Sequence, residues 1–234
     1  MYSVLKLIEL APALAAAERS AFRAALRAAT VALPALEGFL FEPTCPGSFN
    51  AGDLIWRTCF TDADAARRAL DGERWRQEGE ALLGNGTQVR RLEQVAWTGG
   101  ACGGFSPARG VYRVALFCAN RAPRAERLEC FAAETCAMPQ YIRSIRRWQL
   151  ATPHEATGSR VWTHVWEQEY ETLAGLTGAY MMHPYHWAHV DRWFDPEWPE
   201  WLVDPVLCHA FCETTAPVIF TRPRAGPPDH QDGE

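Results

Sequence analysis

A faint internal echo narrows the architectures open to this chain. Gly52-Asp53-Leu54-Ile55-Trp56 aligns with Gly158-Ser159-Arg160-Val161-Trp162 at an offset of 106, and Leu70 then falls on Leu176. A pattern recurring at that distance predicts two copies of one supersecondary unit in tandem. The joint between them is Thr98-Gly99-Gly100-Ala101-Cys102-Gly103-Gly104-Phe105-Ser106-Pro107, whose glycines read as a linker. Placing the boundary near residue 105 gives a first repeat over 1–105 and a second over 106–220, followed by a Pro-containing polar tail, 221–234, expected to be disordered.

Both halves read in the same order. In the first, Val4, Lys6 and Ile8 alternate with Leu5 and Leu7 as a strand. A helix follows from Pro12 to about Leu33, with Phe22, Leu26, Ala29 and Leu33 on one face. Strands are expected at Phe39–Glu42 and Leu54–Phe60, then a continuous helix from Asp62 to Leu83 and a strand at Val89–Trp97. The second half repeats this with a strand Tyr112–Cys118, a helix Pro123–Met138, strands Arg147–Leu150 and Arg160–Trp166, a helix from Tyr170, and a strand Val206–Cys212. Two βαββαβ units are an α+β chain built from two ferredoxin-like repeats. Each has an antiparallel sheet with one uncovered face, so the two sheets are expected to close on each other as a barrel within one chain.

Composition limits the function classes. At 48% hydrophobic and 22% charged residues, the 234-residue chain is globular. Its net charge of −5 and its dispersed arginines, with Lys6 the one lysine, disfavour nucleic acid as a partner. Glu9 and Pro12 interrupt any signal-peptide core, and no apolar run approaches the ~18 residues of a membrane span, so no membrane partner and a cytoplasmic location are expected. The eight cysteines contain no C-x-x-C pair and read as reduced thiols. The 10 Trp, 11 Phe and 6 Tyr fill cores and also line small-molecule pockets.

Histidines gather late, around Tyr180-Met181-Met182-His183-Pro184-Tyr185-His186-Trp187-Ala188-His189. Leu173, Leu176 and Tyr180 share a helical stripe, which buries the Tyr180 hydroxyl and leaves it needing a partner. Pro184 breaks the helix at His183, and the turn can bring Tyr180 and His186 to one cavity. A neutral imidazole accepts a proton near neutral pH and a phenol donates to a developing oxyanion, so the pair suits acid/base catalysis. The competing reading is that His183 and His186 cap a broken helix. His183, His186 and His189 sweep too wide an arc to bind a metal without further ligands.

Tyr180-x-x-His183-Pro184-x-His186, following a strand and a short helix, resembles the signature of the dimeric α/β-barrel, or stress-responsive A/B barrel (Dabb), family. The resemblance implies ferredoxin-like units paired around an apolar cavity. It also implies a cofactor-independent cyclase, isomerase or aldol-type lyase acting on a small aromatic or polyketide-like molecule. By position, Tyr180 would polarise the substrate carbonyl, His186 would be the base and His183 would orient the turn. Alternatives are a non-catalytic stress-responsive ligand-binding protein and, third, a haem or metal-dependent oxidoreductase. A homodimer of the whole chain is compatible with all three.

His164 completes the catalytic candidates. On a strand Arg160–Trp166 it shares a face with Trp162 and Trp166, and this face is expected to point into the barrel. Trp162, Trp166, Trp56, Tyr185 and Trp187 are the expected substrate-binding aromatics, and no metal ligands are assigned. At the offset of 106 the first repeat places Arg74, Gln77 and Glu80 against Tyr180, His183 and His186, so only the second repeat is expected to hold the acid/base site.

Overall fold

Alternating apolar positions fold the first repeat into β1 (Tyr2–Leu10), a helix Ala16–Val31, β2 (Leu36–Pro43), β3 (Leu54–Phe60), helical segments from Ala63–Leu70 to Ala81–Leu83, and β4 (Val89–Thr98). The joint carries β5 (Ala101–Gly104), and the second repeat contains β6 (Gly110–Phe117), a helix Ala125–Tyr141, β7 (Arg147–Ala151), β8 (Glu155–Thr157), β9 (His164–Tyr170), helical segments Gly175–Tyr180 and His186–Val190, and β10 (Cys208–Thr214). This computed structural model describes residues 1–119 and 123–220, and the tail expected to be disordered lies outside the described residues. Among the described residues no helix is long and apolar enough to cross a membrane.

The strands form two antiparallel five-stranded sheets, ordered β2-β3-β1-β4-β8 and β10-β6-β9-β7-β5. Four strands of each follow the ferredoxin-like order, so the chain is the expected pair of βαββαβ repeats. The fifth strand of each sheet was not anticipated. Part of the Gly-rich joint becomes β5 and pairs with β7, while β8 of the second half pairs with β4 of the first. Gly99 and Gly100, at φ 66° and 107°, make the turn between β4 and β5, a backbone region that glycine occupies freely.

Three cores follow from the one-sided amphipathicity of the elements. One lies between the first sheet and its helices, around Phe22, Trp56 and Trp75; one between the second sheet and its helices, around Phe131, Trp166 and Tyr180; and one between the sheets, around Leu5, Ile55, Trp97, Val114 and Val165. The inter-sheet layer also buries an ion pair. Arg57 Nε is 2.6 Å from Glu167 Oε1 and Nη2 is 3.2 Å from Oε2, while the Tyr112 hydroxyl donates to the same carboxylate.

Two expected elements are corrected. The strand placed at Arg160–Trp166 begins only at His164, because Glu93 of β4 accepts hydrogen bonds from Ser159 N–H and Trp162 Nε1–H at 2.9 Å each and ties that stretch to the first sheet. Tyr170 accordingly ends β9 instead of opening a helix. The helix expected to run unbroken to Leu83 stops at Leu70 and resumes at Glu73, passing through a π-helical turn at Arg76–Glu80. Asp71-Gly72 interrupts it where the second repeat uses Pro184.

These corrections change the echo. Gly52 and Gly158 both have left-handed φ, 72° and 128°, but β3 starts two residues after the first and β9 six after the second. The structural offset is therefore 110. It aligns Trp56 with Trp166, Tyr180 with Leu70, His183 with Glu73 and His186 with Arg76, so the first repeat again lacks a phenol–imidazole pair. A fragment of residues 1–105 would expose the inter-sheet face and leave Arg57 without Glu167. We expect it to aggregate or dimerise, and a monomeric, cooperatively melting fragment would contradict this.

Candidate functional site

β9 decides which side chains meet. Its alternation sends His164, Trp166, Gln168 and Tyr170 toward the helices, and Val165 and Glu167 toward the opposite sheet. His164 and Trp166 thus face away from the barrel interior, against expectation, because the strand starts only at His164 and its alternation does not continue from Trp162. Trp162 does lie between the sheets, held by Glu93. Trp56 points to the helices of its own repeat, donating to Thr30 Oγ1 at 2.7 Å, and not to a shared interior.

Tyr180, at 2% exposure, ends its helical segment on the helix side of the second sheet. The turn at Pro184 brings the His186 ring to 4.7 Å from it in edge-to-face contact. His183 Nδ1 accepts the Tyr185 N–H at 3.1 Å, which fixes that turn. Both ring-bearing segments, Gly175–Tyr180 and His186–Val190, are π-helical, a rare geometry that recurs at functional sites. His186 Nδ1 lies 3.2 Å from Asp191 Oδ1, close enough to share charge when the ring is protonated but not aligned as a hydrogen bond.

Four further side chains, Arg113, Gln168, Tyr170 and His209, complete the cluster, and the sequence does not join them as a group. Arg113 on β6 places its guanidinium 5.4 Å from the Tyr180 ring centre and donates to Gln168 Oε1 at 2.7 Å. Arg113 is 7% exposed, yet among the described residues it has no carboxylate partner. His209 on β10 pairs in register with Ala115 of β6, in the row next to Arg113. Arg113 Nε, Gln168 Nε2, Tyr170 Oη, His186 Nδ1 and His209 Nε2 are all buried without a hydrogen-bond partner. Buried polar atoms are normally paired, so five unpaired ones in one layer mark a place for a polar ligand or water. The available signal was polarity within apolar strands: Arg113 in Val111–Phe117 and Gln168 in Val165–Tyr170.

The other candidates sit apart. His164 stacks on Phe117 at 5.2 Å, six residues along β9 from Tyr170 and about 20 Å away. Tyr185 stacks on Tyr141 and His189 at 4.3 and 4.5 Å and donates to the Glu134 carbonyl, while Trp187 is 53% exposed. Tyr185 packs at the margin of the core that holds Tyr180, and Trp187 lies outside that core. Arg192 pairs with Glu134 and not with Asp191.

Burial holds two of the histidines neutral. The His164 ring is lowered to about 4, and His209 to about 3 by burial, then by Arg113 and His186. An unfolded histidine titrates near ~6.5, so on acidification the unfolded chain takes up these protons first. Their stabilising contribution is whole above about pH 6.5 and is lost toward pH 4 and 3, at up to ~1.4 kcal/mol per pH unit for each ring. His164→Phe should therefore flatten the loss of stability between pH 7 and 5, measured by urea melts. An unchanged acid limb would show that His164 is not responsible.

Residues 111–204 match the stress responsive A/B barrel domain, a span that holds Arg113, Gln168, Tyr180 and His186. The second repeat is a stress responsive A/B barrel domain. Fold similarity extends beyond the matched span. An anthrone oxidase-like protein superposes with a TM-score of 0.64 at 10% identity, covering 91% of this chain and 90% of that one. A putative monooxygenase from Fusobacterium nucleatum gives 0.57 at 8% identity, covering 92% and 91%. One from Lactobacillus acidophilus gives 0.54 at 11%, covering 94% and 98%. At these identities the A/B barrel domain and its partner repeat share a fold with those proteins. No curated protein matches the chain.

Proposed function

We propose that the A/B barrel domain is the acid/base centre of an enzyme acting on an enolisable aromatic or polyketide-like ketone. The observation that carries this reading is Arg113, a buried guanidinium with no carboxylate partner among the described residues, facing Tyr180 beside His186. An unpaired buried cation is costly, and an oxyanion on a bound ligand would offset that cost. His186 takes the proton from a carbon conjugated to the carbonyl. The electron pair moves onto the carbonyl oxygen, where Arg113 supplies positive charge and the Tyr180 hydroxyl donates a hydrogen bond. Asp191 stabilises the imidazolium that forms. Return of the proton elsewhere is an isomerisation, attack on a second carbonyl is an aldol cyclisation, and the reverse is a lyase reaction. A ligand enters by displacing the turn at Met181 and Met182, which are 39% and 62% exposed.

The name of one fold neighbour, anthrone oxidase-like, supports anthrone as a probe, because its acidic methylene ionises to an aromatic oxyanion. In deuterated buffer the protein should accelerate exchange at that methylene roughly 100-fold or more over buffer. Exchange at the buffer rate for anthrone and for a panel of enolisable aryl ketones would overturn the reading.

A further inference from the structure

The first repeat carries different chemistry at the matching place. Lys6 on β1 lies in register between Trp56 of β3 and Gln94 of β4, as Ala115 of β6 lies between Trp166 of β9 and His209 of β10. The row that holds an imidazole in the second repeat therefore holds an amine in the first. Lys6 is the chain's single lysine, and it is 7% exposed. Its Nζ donates to Gln94 Oε1 and sits 5.5 Å from the Trp56 ring centre, and among the described residues it has no ion-pair partner. The side chain lines a cavity of about 800 Å³ between the first sheet and its helices.

We propose that this cavity is a second site, in which the Lys6 amine captures an aldehyde or ketone as an imine. The walls favour a neutral carbonyl compound over an anion. Leu70, Trp75 and Leu92 supply apolar surface, and the three carboxylates Asp71, Glu80 and Glu155 outnumber the two cations Lys6 and Arg67. Burial lowers the amine to about 8, against the opposing pull of Glu80, so near neutral pH a usable fraction is uncharged and nucleophilic. The lone pair of Nζ adds to the carbonyl carbon, and proton transfer from nitrogen to oxygen gives a carbinolamine. Loss of water then gives the imine. The proton shed when the ammonium is neutralised passes to solvent, with Glu80 on the cavity wall as a charged acceptor.

A single lysine makes the test direct. The full-length protein is treated with benzaldehyde and cyanoborohydride near pH 8, where about half of the amine is neutral, and alkylation is located by peptide mapping. Lys6 should be benzylated at least roughly tenfold faster in the folded chain than in the guanidinium-unfolded chain, where an ordinary lysine titrates near ~10.4. Leu70→Trp, or Thr98→Trp should that variant fail to fold, narrows the cavity and should slow the reaction at least roughly fivefold with the circular dichroism unchanged. Slower labelling in the folded chain, an adduct confined to the Met1 α-amine, or labelling indifferent to the cavity-filling variant would each overturn the proposal. None of these outcomes depends on Tyr180 or His186.

Discussion

Glu167→Ala is expected to lower the unfolding free energy by about 3–5 kcal/mol, as when one partner of a buried ion pair is removed. Arg57 and Glu167 are both 0% exposed and joined by two hydrogen bonds across the sheet interface. Deleting the carboxylate leaves the guanidinium buried without a counter-charge and removes the acceptor of the Tyr112 hydroxyl. The companion experiment separates the pair's worth from the cost of breaking it. Arg57→Met, Glu167→Leu and Tyr112→Phe together remove both charges and the hydroxyl, leaving Ser3 Oγ, which accepts from Arg57 Nη2 at 3.3 Å, with its bond to Cys59 Sγ. This triple variant should recover to within about 2 kcal/mol of the parent. Urea denaturation measures both. A loss under about 1 kcal/mol for Glu167→Ala would mean that water reaches the pair and that the sheets are not sealed on each other.

His186→Ala should reduce catalysed exchange by about 10²–10⁴-fold, the range for loss of a general base. Tyr180→Phe should reduce it about 10²–10³-fold, as when one oxyanion donor is removed. Neither should move the melting temperature by more than about 5 °C. Tyr180→Phe keeps the ring that packs on Tyr170 and under Arg113, and His186 contributes one edge-to-face contact. Large destabilisation in both, with ligand affinity unchanged, would assign the pair to the fold.

The two repeats are legible in the sequence because each element buries one face, and Phe22, Leu26 and Phe131 show that periodicity without help from the rest of the chain. β5 and β8 are not legible, since strands of four and three residues exist only through pairing with β7 and β4. The start of β9 is hidden for a related reason: Glu93, on the other repeat, holds Ser159 and Trp162 out of the strand. That misplacement pointed His164 and Trp166 inward. Tyr180 and His186 can be singled out from Pro184 and from the buried Leu176–Tyr180 pair, although Leu173, the third member of the expected stripe, is exposed. Arg113, Gln168 and His209 cannot be joined to them from sequence alone. A polar residue in an apolar strand also describes Arg57 and Glu167, which pair with each other. Only the sheet register separates the paired set from the unpaired one.

Chemical rescue tests the acid/base account most directly. His186→Ala, assayed for deuterium exchange into anthrone, should regain at least about tenfold in rate when free imidazole is added, because the missing group is a base and the rest of the site is intact. Tyr180→Phe should show no such recovery. A His186→Ala protein that exchanges at the parent rate, or that stays folded and inactive at every imidazole concentration, would contradict the assignment of His186 as the base.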